Sequence, residues 1–384
     1  MKHLNYRNLF IPFLLLTILT AQCQSQQTDE RSVSLRHICR LPSVLTESSG
    51  IAIEGTNRIW SHEDSGNSNE IYCFDTTGTL LRTLTISNVH NIDWEDMAVD
   101  NEETWYLNDA GNNNNDRQNL AIYKIPSPET ISGNSVNAQI ISFTFEDQTS
   151  FPPPASNRNF DIEAIVWHND SLFLFTKDRS TPFTGITKMY VLPDTPGTYT
   201  ARLADTYHAG NTEETGRITS ADINHHTGEL ILLTKTGLLS FTNYPGNRFF
   251  DGEMVRYNFT SMPGQNESIG FVSTTKLYMT EEGTGSTEGY LYELNLPVPQ
   301  AIGNLQNKEK LLSLYPNPAT NQIKIVSLLN HSAFVQIKDL GGMILKQQLF
   351  SGELTLDISQ LKAGVYFVSV MNETTQVSKK ILKL

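Results

Sequence analysis

A short acidic phrase recurs at the head of apolar runs and limits what this chain can fold into. It reads Asp93-Trp94-Glu95-Asp96-Met97-Ala98 and again Asp161-Ile162-Glu163-Ala164-Ile165-Val166. Weaker echoes are Glu47-Ser48-Ser49-Gly50-Ile51-Ala52, Ile218-Thr219-Ser220-Ala221-Asp222-Ile223 and Gln265-Asn266-Glu267-Ser268-Ile269-Gly270. Carboxylates beside apolar strand residues are costly to bury unless they share a cation or a dense hydrogen-bond network. Their repetition at one structural position predicts a ring of polar groups around an axis. With Ser49, Glu95, Glu163, Ser220 and Glu267 as equivalents, the intervals are about 46, 68, 57 and 47 residues, the spacing of propeller blades with loop insertions.

Each unit continues with further short β-type segments: a second at Arg58–His62, Thr104–Asn108, Leu172–Thr176, Leu230–Thr234 and Lys276–Thr280, then a third and a fourth. The fifth unit lacks a fourth segment of its own, and Ser32 to Leu41 is available to supply it. Such closure would join the ends of the ring and remove an exposed sheet edge. The chain therefore reads as all-β, a five-bladed β-propeller over residues 29–298, with six blades left open because Ile131 to Phe160 is long enough to hide more strands. A polar linker at 299–312 follows. Residues 313–384 alternate short strands around a Gly341-Gly342 turn, the pattern of a small Ig-like β-sandwich.

The net charge of -13 is unevenly spread. Residues 29–304 carry about 17 basic and 36 acidic side chains, about -19, whereas 305–384 carry about 9 and 5, about +4. So acidic a body repels phosphates, which argues against nucleic acid as a partner. Residues 1–25 read as a signal peptide: Lys2 and Arg7 precede an apolar run from Leu9 to Ala21, too short for a membrane span in the mature protein. In an exported chain, Cys39 and Cys73 are an even pair that permits a disulfide, with two buried thiols as the alternative.

Two columns of the repeat carry the chemistry. Asp93 and Asp161 form a partial one; Glu95, Glu163 and Glu267 form the most consistent one. Carboxylates this close cannot all ionise cheaply. Calcium answers that with six to eight oxygens in flexible geometry, making Asp93, Glu95, Asp161, Glu163 and Glu267 candidate ligands. The alternative is a belt of hydrogen bonds from blade to blade. A second acidic series falls at the exits of the second strands and, with its loops, yields Asp64, Asp109, Asn112, Arg117 and Asp178 as candidate ligand-binding residues. For catalysis the candidates are Glu95, Glu163 and Lys177. Trp60, Trp94, Trp105 and Trp167 sit at repeat positions that suit core packing better than sugar stacking.

The segment opening Tyr315-Pro316-Asn317-Pro318, continuing with Leu361-Lys362-Ala363-Gly364-Val365-Tyr366-Phe367-Val368 and ending Lys379-Lys380-Ile381-Leu382-Lys383-Leu384 resembles the C-terminal sorting domain of type IX secretion cargo in Bacteroidota. The resemblance implies engagement of that secretion machinery, passage through the periplasm and arrival at the outer cell surface or the medium. In the body, Ser48-Ser49-Gly50-Ile51, His62-Glu63-Asp64-Ser65-Gly66, Asp93-Trp94-Glu95-Asp96 and Gly111-Asn112-Asn113 resemble exported bacterial propellers of the SdiA-regulated and esterase-like phytase type. Two functions are compatible: a ligand-binding module with a central calcium, or a calcium-dependent hydrolase of phosphate esters or lactones. Ile218 and Ser220 stand where acids would complete the ring, which favours a site off the axis.

Overall fold

The computed structural model describes residues 29–55, 57–283, 288–297, 312–327, 333–339, 343–350, 352–371 and 376–384. The signal peptide, nearly all of the linker and the Gly341-Gly342 turn lie outside them. Five inner strands, Ser48–Glu54, Met97–Val99, Ile162–Trp167, Ser220–Ile223 and Asn266–Phe271, each begin an antiparallel blade. Each touches the next, and the fifth touches the first, so the described ring is a closed five-bladed propeller.

The apolar sequence dictates this closure. The five residues Leu230–Thr234 are all buried, and alternate side chains face opposite ways along a strand. Leu230 and Leu232 pack with Phe173 and Phe175 of blade 3, while Ile231 and Leu233 pack with Leu277 and Met279 of blade 5. A strand apolar on both faces must lie between two sheets. Each of the five blade-to-blade seams holds one such apolar cluster. Trp60 and Trp105 meet edge to face at 5.8 Å in the seam between blades 1 and 2.

Closure comes from the start of the described chain. Arg36–Arg40 pairs antiparallel with Tyr290–Asn295 as the outer strand of blade 5. Just before it, Asp29–Val33 pairs in parallel with Glu253–Phe259 of blade 4. Residues 131–160 add no sixth blade. Gln139–Phe145 is the outer strand of blade 2, also running parallel to blade 3's outer strand, and Ser135–Val136 caps the edge of blade 1. The disulfide expectation fails: Cys39 and Cys73 are free thiols. Cys73 faces the seam of blades 1 and 2, whereas Cys39 packs at the seam of blades 5 and 1, so the sheet of blade 1 separates them.

The C-terminal strands form two antiparallel sheets, one of Leu312–Tyr315, Gln322–Ser327 and Glu353–Asp357, the other of Ile344–Phe350, Ala333–Lys338, Gly364–Met371 and Gln376–Lys383. They enclose Ile323, Ile325, Val335, Ile337, Val368 and Val370 as a β-sandwich.

On the propeller axis, the fully buried Asp96 carboxylate accepts hydrogen bonds from Ile165 N (3.2 Å), Ala221 N (3.0 Å) and Ser220 Oγ (3.0 Å). Ser220 Oγ in turn accepts from Ile269 N (3.1 Å). One side chain of blade 2 thereby ties blades 3, 4 and 5. Removing an acceptor strands buried donors at about 1–3 kcal/mol each. Asp96→Ala should therefore lower unfolding free energy by about 3 kcal/mol or more in urea titration; a loss under about 1 kcal/mol would show that the tie is dispensable.

Candidate axial acid site

Inner and second strands are antiparallel partners, so the start of one lies beside the end of the other: Ser48 pairs with Glu63, Ile162 with Thr176 and Asn266 with Glu281. The acidic phrase and the second-strand exit series, separate in sequence, therefore converge at one end of the channel. Asp64, Asp93, Glu95, Asp161, Glu163, Glu267 and Glu282 meet there with Arg117, Lys177 and Arg179.

The cations are not shared evenly. Arg179 lies 2.6 Å from Asp161 and 2.8 Å from Glu163, and Lys177 lies 2.8 Å from Glu163 and 4.0 Å from Glu267. Asp161 also accepts from Asn112 N at 2.5 Å. Blade 3's acids are therefore neutralised by blade 3's own basic residues. The other half differs. Asp64, Asp93 and Glu95 place carboxylate oxygens within 4.8 Å of one another, as do Glu95, Asp161 and Glu163. Among the described residues, the only cation within 4.0 Å of the first group is Arg117, at 4.0 Å from Asp93. Ser49 Oγ donates to Glu95 at 3.3 Å.

Electrostatics follow this imbalance. Burial and the neighbouring Asp161 and Asp64 push Asp93 up to about 7. Burial and Glu163 push Glu95 well above the carboxylate range. Burial and Glu267 take Glu282 to about 8, and burial also raises Asp64, Asp161 and Glu267. Burial opposes the Lys177 charge, yet Glu163 and Glu267 outweigh it and hold the ammonium protonated.

Several expected ligand contacts are committed elsewhere. Asp109 is fully buried and accepts from Asp93 N (3.0 Å), Tyr123 Oη (2.6 Å) and Arg117 Nη2 (3.0 Å). Asn112 is buried, and its Oδ1 accepts from Asp116 N and Arg117 N. Asp178 is fully buried and accepts from Ser180 N, Thr184 N, Thr184 Oγ1 and Gly185 N. Burial pushes its pKa up, but the Thr184 and Ser180 bonds outweigh that and hold it low. These three shape loops rather than form a rim. Arg117 is braced by Gly111 O at 2.6 Å as well. Asp64, expected on the rim, instead joins Asp93 and Glu95, while Glu267 stands apart with Lys177.

Gly111 has a role its sequence position did not reveal. A Cβ there would overlap Glu95 Oε1 and lie 2.6 Å from Asp93 Cγ. The bare backbone lets both carboxylates close up. The available signal was its place one residue after the Asp109-Ala110 exit.

Residues 313–383 match the family described as the secretion system C-terminal sorting domain. The protein is thus secretion cargo that reaches the outer surface or the medium, and its tail engages the type IX machinery. No curated protein matches the chain. Among solved structures, a gluconolactonase from Xanthomonas campestris is 14% identical over 65% of this chain and 72% of that one, with a TM-score of 0.36. An extracellular domain from B. thetaiotaomicron, described as part of a one component system, is 11% identical over 92% and 58%, with a TM-score of 0.29. A second from that organism, from a hybrid two component system, is 12% identical over 88% and 55%, with a TM-score of 0.30. Among the described residues, no helix is long and apolar enough to cross a membrane.

The acid end imposes a pH dependence. Asp93 and Glu282 titrate near 7 and 8 in the folded chain, against about 4 when unfolded. The folded state therefore holds more protons between about pH 4 and pH 8, and stability falls as pH rises through that window. Melts of metal-free protein should show Tm dropping from about pH 5 to about pH 8.5, less steeply in Asp93→Asn. A Tm that climbs across the window would contradict the raised values.

Proposed function

We propose that the protein is an exported ligand-binding propeller whose axial end holds a calcium ion at Asp64, Asp93 and Glu95. The observation that carries this reading is the convergence of three carboxylates within 4.8 Å with one cation, already braced by its own loop, at 4.0 Å. An all-oxygen donor set without His or Cys suits a hard cation, and calcium tolerates an irregular, carboxylate-rich arrangement better than magnesium. When bound, calcium supplies positive charge and open coordination positions for an oxygen-bearing ligand. Gly111 keeps Asp93 and Glu95 together, Ser49 orients Glu95, and the Lys177 and Arg179 pairs keep Asp161 and Glu163 from adding uncompensated charge beside the ion.

The hydrolase alternative needs Glu95, Glu163 and Lys177 to act on substrate. Glu163 and Lys177 are held to each other at 2.8 Å, a pairing that occupies both, so binding is the better reading.

Calorimetry and thermal melts test it. Calcium at one hundred times its Kd adds about 2.7 kcal/mol, which raises Tm by roughly 5–10 °C for a body this size. The gain should vanish with chelator and in Asp93→Asn. An identical Tm with calcium and chelator would remove the ion from the proposal. Turnover of a phosphate monoester or a lactone that disappears in a folded Glu95→Gln variant would replace binding with calcium-assisted hydrolysis.

A further inference from the structure

Residues 146–161 join the outer strand of blade 2 to the inner strand of blade 3 and contain only the short 3-10 turn Ala155–Asn157. Residues 260–265 make the corresponding step from blade 4 to blade 5, so ring closure does not need the extra length. Long connections without strands of their own are commonly functional or disordered. This one is firmly held. Gln148 Nε2 donates to Asn115 O (2.9 Å), Phe160 N to Asn115 Oδ1 (2.8 Å) and Thr181 N to Ala155 O (2.8 Å). Lys188 Nζ lies 2.6 Å from Asp147 Oδ2 and 3.9 Å from the centre of the Phe160 ring.

Together with blade 3, the loop borders a solvent-open pocket of about 390 Å³, within the range of small-molecule sites. Its chemistry is unlike that of the axial end. The one anion and one cation in its lining, Asp147 and Lys188, neutralise each other. Thr149, Ser150 and Thr206 line it with hydroxyls that make no hydrogen bond within the described protein, and Asn157 Nδ2 is likewise uncommitted. Pro153, Pro154 and Ile186 supply apolar surface.

We propose that this pocket binds a neutral, polyhydroxylated ligand, the chemistry of a saccharide unit. Free hydroxyl and amide groups offer both donors and acceptors, and the proline and isoleucine surfaces suit the C–H face of a sugar ring. An anionic ligand would lack a free cation, because Lys188 is held by Asp147 and by Tyr190 Oη at 3.1 Å. A wholly apolar ligand would leave the lining hydroxyls desolvated without partners, which is unfavourable. Short side chains on a braced loop also lose little conformational freedom on binding. None of the axial carboxylates lines this pocket.

The test uses the full chain, saturation-transfer NMR and calorimetry, with neutral hexoses, N-acetylhexosamines and their short oligomers as probes, each with and without chelator. At least one probe should bind equally well in chelator and in Asp93→Asn. Its affinity should fall tenfold or more in Asn157→Ala and in Thr206→Val, exposed positions where folding is preserved. Absence of binding across the panel, unchanged affinity in both variants, or loss of binding in Asp93→Asn would each overturn the proposal.

Discussion

The structure depends on a single carboxylate at its centre. Asp96 contributes its acceptor capacity to blades 3 and 4 and, through Ser220, to blade 5. Apolar seams alone resist separation of the blades but tolerate sliding, because burial is non-directional. A buried acid with directional partners specifies angular position around the axis. Asp222 repeats the device nearer the other end, accepting from Phe271 N at 2.6 Å. These ties supply the registration that lets carboxylates from three blades meet within ångströms at the acid end.

That end is a balance between two solutions to the same problem. Blade 3 carries acids together with the bases that neutralise them, and is electrostatically self-contained. Blades 1 and 2 contribute acids without bases of their own, apart from an arginine largely engaged by its loop. The blade-to-blade hydrogen bonds at the centre are made by Asp96 rather than by the acids expected to form a belt, and the cation is proposed at Asp64, Asp93 and Glu95.

How much of this could be read beforehand follows from what each feature depends on. The repeat located the inner and second strands because two-faced burial leaves an unbroken apolar signature, as in Leu230–Thr234. The closing strand was legible because the fifth unit visibly lacked one. The division of labour among the acids was not. It rests on hairpin register, which carries Asp64 beside Asp93 and Glu95, and on the reach of Lys177 and Arg179. Asp109 and Asp178 read as rim ligands because an Asp in a turn looks the same whether it faces solvent or its own backbone. Asp96 sat within the opening phrase, yet its neighbours Glu95 and Trp94 drew the chemical and packing arguments. The cysteine pair failed for a reason of topology: Cys73 belongs to the blade 1 sheet and points to its blade 2 side, while Cys39 packs on the side facing blade 5.

The ring is sealed by partners far apart in the chain, Arg36 opposite Glu293. Loop closure over such a span is entropically late, so the first described strands must wait for the last blade to be made. Until then, the edges of blades 4 and 5 stand open as templates for stray pairing. The strands that seal the ring thus all precede the C-terminal address in the chain, and a body that has failed to seal would carry its defect at the outer edges of blades 4 and 5.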